Sequence, residues 1–129
     1  MKQSISALIF VCLLTACSKK QPPAGLQQRT TGQCYIGVVI KKGICGQRIV
    51  EVLNPDSSLN YVPAWYDADE KKNRVNVFHV ENICDFPASL REGESFKFSL
   101  SSRVDTSCIT CQAYIAVPPQ SNSIRIGCD

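Results

Sequence analysis

Histidine is almost missing from this 129-residue chain, His79 being the only one. One imidazole leaves no histidine metal motif, and no Gly-x-Ser-x-Gly or phosphate-loop motif is present either. Long apolar runs are also missing. The longest, over residues 5–14, is about ten residues, roughly half of what a bilayer-spanning helix needs. No stretch of ten or more residues carries the 3.6-residue period of an amphipathic helix, which excludes a helical bundle. Charge of one sign is scarce as well: 14 Lys and Arg stand against 11 Asp and Glu, a formal net charge of +3. That excess, scattered along the chain, is too small for a nucleic-acid binder by charge alone, so Lys19, Lys20, Lys41 and Lys42 read as solvated or lipid-facing charges.

What is present begins at the N-terminus. Lys2 precedes the apolar run, which ends in Leu14-Thr15-Ala16-Cys17 and is followed at once by Ser18-Lys19-Lys20. A cationic start, a short apolar core and small residues before a cysteine make a secretory signal. The stretch resembles a bacterial lipoprotein signal with its lipobox. The resemblance implies removal of residues 1–16, a diacylglycerol on the Cys17 thiol and an acylated new amino terminus such as palmitate provides. Several acyl chains anchor durably where one anchors marginally. Ser18 is not the aspartate that implies inner-membrane retention in enterobacterial lipoproteins, so the outer membrane is favoured.

Residues 17–33 are polar and broken by Pro22, Pro23, Gly25 and Gly32. They read as a tether spanning about 20 Å. Residues 34–129 then make one domain.

That domain is rich in cysteine: Cys34, Cys45, Cys84, Cys108, Cys111 and Cys128 remain once Cys12 leaves with the signal and Cys17 carries lipid. An even number in a small exported domain favours three disulfides. Structural zinc is the competing use, but only Cys108 and Cys111 are closely spaced and a histidine partner set is absent. No metal and no cofactor are expected.

From Cys34 the pattern has a period of two. Residues 34–41 and 47–53 form a hairpin about Gly43 and Gly46, residues 74–81 a third strand, and residues 95–100 a fourth with Phe96, Phe98 and Leu100 inward. Residues 112–117 and 123–128 complete the set, and a single helical turn is expected at Ala88-Ser89-Leu90. Residues 54–73 read as a long connection. The fold class is all-β, a small antiparallel five- or six-stranded barrel, with a β-sandwich as the alternative. The run Leu90-Arg91-Glu92-Gly93-Glu94-Ser95-Phe96-Lys97-Phe98 is similar to the lead-in to the fourth strand of OB-fold and cold-shock-like barrels, and Gly37-Val38-Val39-Ile40 to their first strand. The stacking aromatics of that family are not reproduced as a set, so no nucleic-acid partner is expected.

If the second and third strands are antiparallel neighbours, Cys45 lies near Cys84, the expected first disulfide. Cys111 with Cys128 and Cys34 with Cys108 would follow. Exchanging Cys108 with Cys111, or joining those two and pairing Cys34 with Cys128, fits nearly as well.

Tyr61, Trp65 and Tyr66 in the long connection are candidates for stacking on sugar rings, peptides or exposed bases; the competing reading has Trp65 plugging one barrel end. Asp67, Asp69 and Glu70 lack the spacing of a calcium loop and read as solvated. Cys108-Ile109-Thr110-Cys111 has the spacing of a redox pair, but no helix pattern follows it. Together with the lipobox resemblance, these readings lead to the expectation of a membrane-anchored, non-catalytic envelope lipoprotein that binds an envelope protein or glycan or serves as a structural component. A thiol-disulfide oxidoreductase or redox sensor built on Cys108 and Cys111 is the alternative.

Overall fold

The computed structural model describes residues 32–105, 107, 108, 111, 113 and 115–128. The signal stretch, Cys17 and the tether through Thr31 lie outside the described residues. Seven strands form one sheet: β1 (Tyr35–Lys42), β2 (Arg48–Val52), β3 (Val62–Asp67), β4 (Lys72–Val80), β5 (Ser95–Leu100), β6 (Ser121–Asn122) and β7 (Ile124–Ile126). The order along the sheet is β3-β4-β2-β1-β5-β7, and β6 pairs with β4. Every pairing is antiparallel except β4 with β6. Among the described residues the only helix is a 3-10 turn, Ile83–Asp85, and no helix is long and apolar enough to cross a membrane.

Alternation explains the strands. On β1, Tyr35 and Val39 are buried on one face, while Ile36 and Val38 point to the other. Gly37 has no room for a side chain, because a β-carbon there would stand 2.7 Å from Val50 and 3.1 Å from both Phe96 and Phe98. The register with β2 slips between Val39 and Lys41, leaving one extra residue on β1. The hairpin turns at Gly46, whose φ of +89° suits a residue without a β-carbon.

The main core gathers Tyr35, Val39, Val50, Val52, Leu59, Phe78, Val80, Phe86, Phe96, Phe98 and Ile124. Phe98 is its hub, with ring centroids 5.3 Å from Tyr35, 5.8 Å from Phe78 and 5.6 Å from Phe96. The Tyr35 hydroxyl donates to Asp56 at 2.9 Å, and burial together with that carboxylate pushes its pKa up to about 12. A second cluster, Ile40, Ile49 and Val77, lies under Val38, Val62, Trp65 and Val117.

Three expectations need correction. Residues 54–73 are not one irregular connection, since β3 pairs with β4 from Val62↔Val77 to Asp67↔Lys72. Pro63 and the exposed Ala64 and Tyr66 hide that strand from a pattern search, because it lies at the end of the sheet order and shows neither a continuous apolar run nor clean alternation. The expected strand over residues 112–117 is absent: Ala113 and residues 115–117 belong to no strand, and Gln112 and Tyr114 lie outside the described residues.

The third correction concerns disulfides. The bonds are Cys34–Cys128, Cys45–Cys111 and Cys84–Cys108; none of the expected Cys45–Cys84, Cys111–Cys128 and Cys34–Cys108 forms, and of the alternatives only Cys34–Cys128 occurs. The strand argument behind the expected bond holds, because β2 and β4 are antiparallel neighbours with Ile49↔His79 and Val50↔Phe78. Gly46 indeed lies over Ile83. The 3-10 turn then carries Cys84 to Cys108 while Cys45 takes Cys111, so the expected neighbourhood is present with different partners.

Candidate functional site

The three aromatics do not converge. Tyr61 packs against the main core and Trp65 against the second cluster, whereas Tyr66 is 56 % exposed. Trp65 and Tyr66 are consecutive on a strand and therefore leave it on opposite faces. The pattern fits a covering role for Trp65 and leaves Tyr66 as the open ring of the three.

β3 reaches further than its place in the sheet suggests. Two strands separate it from β1, yet Asp67 on β3 meets Lys41 on β1, with Nζ 2.9 Å from Asp67 Oδ1 and 2.5 Å from Asp69 Oδ2. The β3–β4 hairpin is thus folded back over the sheet, its apolar side on the second cluster and its acidic turn on Lys41. The left-handed φ of Asn76, +51°, lies in β4 where this arm meets the rest of the strand. Neither Lys41 nor Asp67 is solvated, contrary to the sequence reading: their side chains are 13 % and 0 % exposed.

Asp67 also closes the hairpin turn, Oδ1 accepting from the amides of Asp69 at 3.1 Å and Glu70 at 3.4 Å. Burial pushes its carboxyl pKa up, but the Lys41 ammonium and those amides outweigh burial and hold it below the ordinary 3.8. For Lys41, burial is likewise outweighed, here by Asp69 and Asp67, and the pKa is raised above 10.5. The pair's stabilisation is thus complete from about pH 4 to about pH 10, lost at the acid end as pH falls through the Asp67 value and at the alkaline end as pH rises through the Lys41 value. Asp67→Ala should cost about 2 kcal/mol at neutral pH, since Lys41 keeps Asp69 but the charged hydrogen bonds at Asp67 go. Urea melts at pH 7 and pH 3 check this. The difference between variant and wild type shrinks at pH 3, and an equal difference at both values would contradict the electrostatic origin.

Other charged groups serve as struts. Lys42 Nζ donates to the carbonyls of Ala88 at 3.1 Å and Leu90 at 3.0 Å, and the Arg48 guanidinium stands 5.7 Å from the centre of the Phe86 ring. Burial pulls the Arg48 pKa down, with Glu92 partly opposing. Glu70 pairs with Arg74, so Asp67, Asp69 and Glu70 are all engaged in ion pairs within the domain. No group of three or more potential metal ligands occurs among the described residues.

His79 is spoken for as well. Its Nδ1–H donates to the Pro118 carbonyl at 2.8 Å and its backbone amide to Gln120 at 3.0 Å, which seats the returning segment beside β4. A cleft of about 250 Å³ is lined by Asn82, Asp85, Ser101, Arg103 and residues 124–126. It falls below the roughly 300–1,000 Å³ usual for small-molecule sites. Pattern reasoning found neither this cleft nor the Lys41–Asp67 pair, because both join residues far apart in sequence.

Cys108 and Cys111 are bonded to different partners, Cys84 and Cys45. A redox pair exchanges electrons by opening and closing a bond between its own two sulfurs. That arrangement is not the one here, and the two cysteines instead fasten the 101–120 segment at two points. Cys17 lies outside the described residues.

Compared with protein-family models, curated proteins and solved structures, the chain matches none of them.

Proposed function

We propose that this chain is a non-catalytic lipoprotein of a bacterial envelope, held at the outer membrane by acyl chains on Cys17 and extending a disulfide-stapled β-domain on a flexible tether. The observation that carries the reading is the use of all six cysteines between Cys34 and Cys128 in three disulfides. Such bonds persist in an oxidising, exported compartment, where the lipobox-like Leu14-Thr15-Ala16-Cys17 would also deliver the chain.

The domain itself is, in this proposal, a partly open OB-like barrel rather than a sandwich. Support comes from residues 121–126: Ser121 and Asn122 pair with β4, while Ile124–Ile126 pair with β5, so one short run bridges strands from opposite parts of the sheet order. Strands β4, β2, β1 and β5 and this run make five, with β3 added at the margin. The role is binding or structural, and the ligand is an envelope protein or a glycan.

Fractionation of an epitope-tagged form tests the anchor. Wild-type protein is expected in the outer-membrane fraction, and Cys17→Ala in the soluble periplasmic fraction or retained as uncleaved precursor without lipid mass. Mature, membrane-bound Cys17→Ala would overturn lipid anchoring.

A further inference from the structure

We infer that one face of the sheet, carrying Leu53, Ile36 and Lys97, rests against lipid headgroups. The inference builds on the anchored reading and adds an orientation to it.

Three observations meet on this face. The first is register. Ile36 stands opposite Lys97 on β5, and the Leu53 amide donates to the Ile36 carbonyl at 2.9 Å, so Leu53, Ile36 and Lys97 form one row across three adjacent chain segments. The inner core takes the alternate residues, Tyr35, Phe96 and Phe98, and the row therefore points outward.

The second is exposure. Leu53 is 58 % and Ile36 38 % exposed, in contrast to Val38 and Ile40 further along β1, which the β3–β4 hairpin covers. The apolar outer face of β1 is thus sheltered at one end and open at the other. Lys97 is exposed and has no ion-pair partner among the described residues. Glu51 is the nearby acid, one row further along, opposite Val38.

The third is where the chain arrives. Gly32 lies against Ser99, two residues from Lys97 on the same side of β5, and Cys34 is bonded to Cys128 at the same end of the sheet. Cys34 is further fixed by Asn54, whose side-chain amide donates to the Cys34 carbonyl while its oxygen accepts from the Ile36 amide. On the tether proposed above, the 16 residues between Cys17 and Cys34 have a root-mean-square span of about 20 Å, somewhat more with the proline pair. The end of the domain at which they enter is therefore held close to the bilayer, and the open row lies at that end. Two apolar side chains beside a lysine suit an anionic headgroup layer, where the ammonium meets phosphate and the hydrocarbon enters the interface. Ile44, 86 % exposed in the β1–β2 turn, is on the order of 20 Å away along β1 and serves as an internal control.

The test uses the full, lipidated chain in vesicles of phosphatidylethanolamine and phosphatidylglycerol at three to one. A photo-crosslinking amino acid is placed at Leu53 or at Ile44, and lipid adducts are counted by mass spectrometry. The Leu53 probe is expected to give several-fold more lipid adduct than the Ile44 probe. Lys97→Ala should lower the Leu53 yield about fivefold, the weight of one basic side chain near an anionic surface. In phosphatidylcholine vesicles the Lys97 effect should vanish. Equal yields at the two positions, or adducts at Leu53 to protein instead of lipid, would overturn the orientation while leaving the anchor intact. Failure of the chain to float with vesicles would instead remove the anchored reading, and this inference with it.

Discussion

Cys34→Ala/Cys128→Ala is expected to lower the unfolding free energy by about 3.5 kcal/mol, the chain-entropy value for the roughly 28-residue loop that is left when the nested Cys45–Cys111 bond short-circuits the enclosed chain. The two cysteines are 94 positions apart, so the bond encloses nearly the whole described domain. Its place in the sheet explains why the native state accepts it. Cys34 directly precedes β1, Cys128 closely follows β7, and both strands pair with β5, at Tyr35↔Phe98 and Phe98↔Ile126. The bond therefore ties together the two strands that flank β5. The melting temperature should fall by about 20 °C. Guanidinium denaturation of the double variant, with the other two bonds intact, gives the number; a loss under about 1 kcal/mol would mean that the ends are held without the cross-link.

Phe98→Ala is expected to cost about 3–5 kcal/mol. Phe98 is fully buried, touches three other aromatic rings, and sits where β1, β5 and β7 meet. Truncation removes the contacts and leaves a cavity lined by rings held on β1, β4 and β5, which cannot close without shifting a ladder. Phe98→Leu should lose about 1–1.5 kcal/mol, and Tyr66→Ala, on the exposed side of β3, about 0.5 kcal/mol or less. Thermal and chemical melts of the three variants rank them. A Phe98→Ala cost no larger than that of Tyr66→Ala would contradict the position of the core.

Phe98 and its strand also mark how much of the fold is legible in the sequence. The alternation over Ser95–Leu100 put Phe96 and Phe98 inward from spacing alone, and the structure places both in the core. Leu100, assigned to the same face, is 40 % exposed at the last position of β5, although Ile124 opposite it belongs to the core. The β1–β2 hairpin and the adjacency of β2 and β4 were legible for the same reason: period-two patterns and short glycine turns are local signals.

What was not legible depends on contacts between distant segments. β3 lies partly on a cluster and partly in solvent, with Pro63 as its second residue, so neither period nor composition announces it. Asp67 reads as one acid in a charged run, and only the folding back of the hairpin brings it to Lys41, 26 residues away in sequence. The disulfides failed at the last step. Strand order brought Cys45 close to the Ile83–Asp85 turn, but choosing between Cys84 and Cys111 required that turn's direction and the path of residues 101–120, which contain no strand among their described residues. The aromatic candidates divided likewise. Clustering in sequence said nothing about sides, and strand alternation sent Trp65 and Tyr66 apart.

The central claim, a lipid-bearing cysteine followed by a domain stapled with three disulfides, comes down to the state of seven sulfurs. Membrane-extracted protein, alkylated without reduction and digested, should give linked peptides for Cys34–Cys128, Cys45–Cys111 and Cys84–Cys108, and an N-terminal peptide that begins at Cys17 and carries diacylglycerol mass. A Cys108–Cys111 bond, free thiols in the domain, or a Cys17 that is unmodified or disulfide-bonded would contradict the account.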